Sequence, residues 1–83
     1  MSSEPLIAAF LAGRPDLQDT TREAYEKDLK RLAVFAQRRA KTFATLSLHD
    51  LRQFIAEETD RYSSRTAART VTAIRQCYRV ALE

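Results

Sequence analysis

Apolar positions recur along this chain at spacings of three and four, the period of helices that each bury one face. Leu6, Ile7, Phe10 and Leu11 make the first such stripe. Ser2-Ser3-Glu4-Pro5 before it reads as a helix start: a serine cap, an acid in the first turn, and a proline where its missing N–H costs nothing. Gly13 is expected to stop this helix and Pro15 to keep it from resuming, with residues 14–19 as a polar connection. The second stripe is Tyr25, Leu29, Leu32 and Ala36, widened by Ala33 and Phe35. Thr20 is expected to open this helix in a capping box with Glu23, Thr21 being the alternative cap, and the helix should run to about Arg39. Phe43 and Leu46 should tuck under the connection that follows. Ser47 caps a third helix with Asp50 at its third position. Leu48, Leu51, Phe54 and Ile55 are expected to face inward there, with Tyr62 closing the end. Acids disfavour a helix C-terminus, so Glu57, Glu58 and Asp60 should fray this helix near Thr59.

The fourth helix, Ser63 to Leu82 with Ser63 or Ser64 as cap, divides most cleanly. Ala67, Val71, Ile74, Tyr78 and Ala81 form its expected inner face, with Cys77 and Leu82 on the flanks. Arg65, Arg69, Thr72, Gln76 and Arg79 recur on the opposite side, and no acid interrupts them. Four amphipathic helices without strand alternation or a glycine-rich loop predict an all-α, compact four-helix bundle.

Length bounds what such a bundle can do. Eighty-three residues make one small domain, 1–83, with room for one modest core and little for a deep pocket besides. The net charge of +3 matters through its placement. Residues 61–83 carry five arginines against Glu83 alone, while the first sixty carry nine bases against ten acids. The excess therefore sits on the last helix and the turn before it, a footprint suited to phosphate. The other basic group, Arg38, Arg39 and Lys41, is explained by the negative end of the second helix's dipole. A lone cysteine excludes an internal disulfide and fits a reducing, cytoplasmic setting. Leu6 to Ala12 is far short of a membrane span of about 20 residues, so no membrane association is expected.

Candidate chemistry is sparse. His49, the single histidine, has no second histidine or cysteine pair at metal spacing, and reads as a solvated helix-start residue. Cys77 borders the apolar face and reads as a buried thiol. Tyr25, Tyr62 and Tyr78 fall on inward stripes. No acid–base, metal or cofactor constellation is present, so a stand-alone enzyme is a poor reading and neither metal nor cofactor is expected. What remains is the stripe on the last helix. Charged helix faces are commonly just solvated, but they usually mix signs, and this one does not. Arginine, glutamine and threonine are also the side chains that hold phosphates and read base edges in a major groove.

The order of residues carries a resemblance. Thr21-x3-Tyr25-x2-Asp28-Leu29-x5-Phe35, then Leu46-x3-Asp50-Leu51-x2-Phe54, then Ser63-x2-Thr66-x2-Arg69-x-Val71-x-Ala73-Ile74-Arg75-x2-Tyr78 resembles the N-terminal core-binding domain of tyrosine recombinases and phage integrases, from about Ser3 to Leu82. The resemblance implies a SAM-like domain that forms half of a clamp around double-stranded DNA, with its second and fourth helices toward the major groove. It also implies packing against other recombinase protomers in a synaptic complex. The implied DNA side comprises Thr21, Arg22, Ser64, Arg65, Arg69, Thr72, Arg75, Gln76 and Arg79. Two positions depart from the pattern: Cys77 stands where the family has an aromatic, and Arg61-Tyr62 replaces the glycine before the last helix. The family's catalytic residues belong to a second domain, so none of these tyrosines inherits the nucleophile's role, and the chain is expected to be a fragment of a larger recombinase that is monomeric in isolation. The alternative is a helical protein-interaction module whose basic face meets an acidic partner or a neighbouring subunit.

Overall fold

A computed structural model describes residues 3–81, Ala81 by its backbone alone. Ser2 as a cap, Ala81 as an inward side chain and Leu82 as a flank lie outside the described residues. Four helices follow in order: α1 (Glu4–Ala12), α2 (Asp19–Arg38), α3 (Leu48–Arg61) and α4 (Ser64–Ala81). No strand occurs among the described residues. The all-α, four-helix architecture is the expected one.

The starts of these helices show where local chemistry suffices. Ser47 Oγ accepts from the Asp50 N–H at 3.1 Å, and Asp50 Oδ2 accepts from the Ser47 N–H at 2.9 Å, completing the capping box. Ser63 Oγ likewise accepts from the Thr66 N–H at the start of α4. The second helix departs from expectation. It begins at Asp19 behind Gln18, which makes no side-chain cap bond, so Thr20 and Thr21 sit inside the first turn and the box with Glu23 is not formed. The Arg22 N–H already bonds the Gln18 carbonyl at 2.8 Å, and Asp19 places a negative charge at the positive end of the dipole. At the start of α1, Ser3 makes no cap bond with its side chain; its Oγ accepts instead from the Phe43 N–H at 3.4 Å. This joins the start of α1 to the α2–α3 connection.

The ends are less intuitive. Gly13 follows α1 as expected, but at φ −81°, which any residue adopts, and a Cβ there would meet nothing closer than 3.5 Å. The left-handed turn falls instead on Ala40, at φ 56°. The Lys41 N–H bonds the Ala36 carbonyl and the Ala40 N–H bonds the Gln37 carbonyl, the paired bonds of a Schellman end to α2. Left-handed geometry costs a residue with a Cβ about 1–2 kcal/mol. Glycine's extra freedom in the unfolded chain offsets about 0.4–1 kcal/mol of that. Ala40→Gly is therefore expected to stabilise the domain by about 0.5 kcal/mol, read as a higher urea midpoint at unchanged slope; a lower midpoint would refute the Schellman assignment.

The third helix runs past Thr59 to Arg61. It does not fray because Glu58 is only 3% exposed and is held by Arg31 of α2. Leu48, expected inward, is 64% exposed at the first position of α3. Tyr62 is 40% exposed, and the Arg31 guanidinium lies over its ring, 4.7 Å from the centroid.

Helix α4 packs against each of the other three. The core it closes holds Phe10, Leu29, Leu32, Phe43 and Phe54, with Phe35 and Phe54 meeting edge to face at 5.3 Å. Its buried stripe is Ala67, Thr70, Ala73, Ile74 and Cys77. Val71 and Tyr78, expected near the middle of that stripe, are half-buried at its edge. The helix is thus turned by roughly 70°, about two thirds of one residue's step, from the orientation its largest apolar side chains suggest. Small residues on the inner face let α4 approach its neighbours closely. Tyr78 still anchors, stacking on Phe43 at 5.9 Å and donating its hydroxyl to the Phe43 carbonyl at 2.6 Å.

Candidate nucleic-acid interface

The turn of α4 splits the polar stripe in two. Arg65, Thr72, Arg75 and Arg79 are exposed, with Ser64 beside them at the first position of the helix. Arg69 and Gln76 lie nearer the packed face and are half-buried. Arg65 and Arg75 have no ion pair or side-chain hydrogen bond among the described residues. The Thr72 hydroxyl turns back to donate to the Ala68 carbonyl at 3.2 Å, within its own helix.

The two half-buried residues are engaged inside the fold. Arg69 donates Nε–H to Asp28 Oδ2 and Nη2–H to Asp28 Oδ1, both at 2.9 Å. Asp28 is fully buried on α2 and also accepts from Arg31 Nη2 at 2.6 Å. Arg31 continues to Glu58 through Nε and Nη2, the shortest of these bonds being 2.7 Å, and the Thr70 hydroxyl lies 3.4 Å from the same carboxylate. Two buried carboxylates are thereby matched by two guanidiniums, which meets the requirement that buried charges be paired. The bond to Asp28 raises the Arg69 pKa further above its ordinary value. Gln76 Oε1 accepts from Arg14 Nη1 at 2.5 Å, and Arg14 also pairs with Asp16.

At the start of α2, Arg22 donates to the carbonyls of Leu11 and Arg14 beyond the end of α1. It acts there as a cap for α1, and Thr21 beside it is half-buried. The chain Arg22–Arg14–Gln76 therefore links the start of α2 to the middle of α4. Arg14 lies in the stretch read as a plain polar connection, and nothing local marks it. Asp28 did carry a signal: a carboxylate on the stripe of Tyr25, Leu29 and Leu32 must find a cation when that stripe is buried.

Three other titratable groups are tied up by burial or by partners inside the fold. Burial pushes the Cys77 thiol up to about 11, so it stays protonated and inert. Burial likewise raises the Tyr78 hydroxyl, which is occupied by the Phe43 carbonyl. Asp50 is held well below the usual carboxylate range by Lys41 at 2.6 Å and by the Ser47 N–H. Arg39 reaches the same carboxylate at 3.0 Å, so the cluster after α2 is partly neutralised within the fold. Among the described residues, no group of histidine, cysteine or carboxylate side chains could hold a metal ion, and no helix is long and apolar enough to cross a membrane.

No match was found among curated proteins or solved structures. A family model does match, and it covers residues 8–83, all four helices but for the first turn of α1. It describes the N-terminal SAM-like domain of phage integrase, the non-catalytic part of those enzymes, whose role is DNA binding in recombination. With its helical bundle and its arginine-bearing last helix spanned by that match, this chain belongs to the phage integrase N-terminal SAM-like family.

Proposed function

We propose that this chain is the DNA-clamping module of a larger site-specific tyrosine recombinase, whose catalytic residues lie in another domain. The exposed face of α4 meets the major groove, and the start of α2 supplies a second contact through Thr21. Arg65, Arg75 and Arg79 neutralise phosphates, and the N–H groups of the first turn of α4 around Ser64 add donors at the positive end of the dipole. Other recombinase protomers pack beside it in a synaptic complex, while the isolated domain is monomeric and cytoplasmic. The observation that carries this reading is the exposed face itself: a helix in an integrase-family domain that presents arginines to solvent with no acid among its described residues.

Titrating a short duplex at several salt concentrations tests it. Three phosphate-neutralising arginines predict that log K falls by about 2.7 per decade of salt, at about 0.9 per contact. Binding indifferent to salt, or absent at low salt, would refute the proposal. A protein-docking role is favoured by one feature, an apolar groove between α3 and α4 lined by Leu48, Leu51, Ile55, Val71 and Ile74 with Arg52 and Arg75 at its rim. NMR separates the two roles. Duplex DNA should perturb the backbone signals of α4 at low salt more than heparin does; perturbation by heparin alone would leave only charge attraction.

A further inference from the structure

The pairing of Arg69 with Asp28 divides the labour among the arginines of α4. A guanidinium carries five N–H donors in one plane. Asp28 takes the Nε–H and one hydrogen of Nη2, along one edge of that plane. The adjacent edge, made by Nη1 and the second hydrogen of Nη2, is left with two parallel donors. The Arg69 side chain is 40% exposed, so its pairing with Asp28 does not enclose it, and no other hydrogen bond among the described residues engages Nη1. Two parallel donors match the O6 and N7 acceptors that guanine presents in the major groove.

Two physical consequences distinguish Arg69 from Arg65 and Arg75. Its side chain is already ordered by two hydrogen bonds to a buried anchor, so little rotamer freedom remains to be lost on binding. Its charge is already offset, because Asp28, Glu58, Arg31 and Arg69 together sum to zero. An arginine neutralised in this way displaces few counterions when it meets DNA; its contribution is directional. Arg65 and Arg75 are the reverse: exposed and without a partner among the described residues.

We propose that Asp28 is a positioning residue that makes Arg69 the base-reading arginine of α4, with guanine as its partner, while Arg65 and Arg75 hold phosphate. This assignment rests on the DNA-binding role proposed above. A purely architectural ion pair would explain the Asp28–Arg69 contact but would give Arg69 no influence on sequence preference.

The test uses the 83-residue chain and a pool of duplexes with a randomised core, sequenced after selection at low salt, together with salt titrations of single duplexes. The wild type should prefer guanine at one position by about tenfold, the discrimination a bidentate contact supplies. Arg69→Lys keeps the charge and the pairing to Asp28 but lacks the planar two-donor edge, and should abolish that preference. Arg65→Gln should leave the preference intact and lower the salt slope by about 0.9, whereas Arg69→Gln should lower it by less than half as much. Asp28→Asn should lose the preference in the wild-type background and lose nothing more in the Arg69→Gln background, as expected of a residue that acts through Arg69. If Asp28→Asn does not fold, Arg69→Lys and the two slopes carry the test. Guanine preference that survives Arg69→Lys, or equal slope changes for Arg69→Gln and Arg65→Gln, would overturn the assignment. So would salt-dependent binding by the wild type without base preference, which leaves the DNA-binding role standing. Failure of the wild type to bind in a salt-dependent way would overturn that role, and the assignment with it.

Discussion

Arg31→Met is expected to destabilise the domain by about 3 kcal/mol, the lower end of the cost of stranding one partner of a buried ion pair. Arg31 bridges both interior carboxylates, reaching Asp28 at 2.6 Å and Glu58 at 2.7 Å. Asp28 would keep Arg69, but Glu58 would keep only the long contact to Thr70 Oγ1. A carboxylate buried to that degree must then be protonated, rehydrated by opening the α2–α3 contact, or left unpaired. The lower end applies because the Arg31 side chain is itself 26% exposed, so water already weakens the interaction from one side. A domain of this size has roughly 4–12 kcal/mol in total. The melting temperature should accordingly fall by on the order of 15 °C in a calorimetric scan. Replacing Glu58 as well, in Arg31→Met with Glu58→Leu, removes the stranded charge and should recover most of the loss. A cost below about 1 kcal/mol for the single variant would mean that the cluster behaves as an ordinary surface pair.

Arg65→Glu combined with Arg75→Glu is expected to weaken duplex binding about a hundredfold at low salt while leaving the fold intact. Both side chains are exposed and neither has a partner among the described residues, so reversal strands no buried group. Each lost charge-assisted contact to phosphate is worth about 1.5 kcal/mol or more, and two together give the hundredfold. The added repulsion is long-ranged and should shrink as the Debye length falls from about 10 Å at 0.1 M salt to about 3 Å at 1 M. The matched control is Lys30→Glu with Arg52→Glu, the same charge change on exposed residues of α2 and α3 outside that face. Binding curves from fluorescence anisotropy should separate the two pairs clearly. Equal losses would mean that net charge, not the face of α4, governs binding.

The choice of Arg65 and Arg75 over Arg69 shows how the structure alters the experiment. On the helical wheel Arg65 and Arg69 look equivalent, one turn apart on the same polar face. In the fold, reversing Arg69 would set a third carboxylate beside Asp28 and Glu58 and would report on stability as much as on DNA. The same holds for Gln76, tied to Arg14, and for Arg22, which closes the end of α1.

Much of this was legible along the chain, because it depends on neighbours in sequence. The four helices follow from the three-and-four spacing of apolar residues. The capping box of α3 follows from a serine and an aspartate three residues apart. The stripe of α2 follows from Tyr25, Leu29, Leu32 and Ala36, all of them buried. The ordered motifs of helices two to four carry the family, which the match over residues 8–83 bears out.

Other features hinge on residues far apart in the chain. The wheel weights Val71 and Tyr78 by their hydrophobicity, yet α4 docks through Thr70, Ala73 and Cys77, because small side chains allow close approach to α1, α2 and α3. Which way a helix turns is settled by the shapes it meets, and no local count contains them. Asp28 and Arg69 are 41 residues apart, and Arg31 and Glu58 are 27 apart. Whether such charges meet, and which arginines are left facing water, depends on how the helices pack. Composition placed the arginines on one helix; packing separated Arg69, anchored on a buried carboxylate, from Arg65 and Arg75, whose charge is left to the solvent or to DNA.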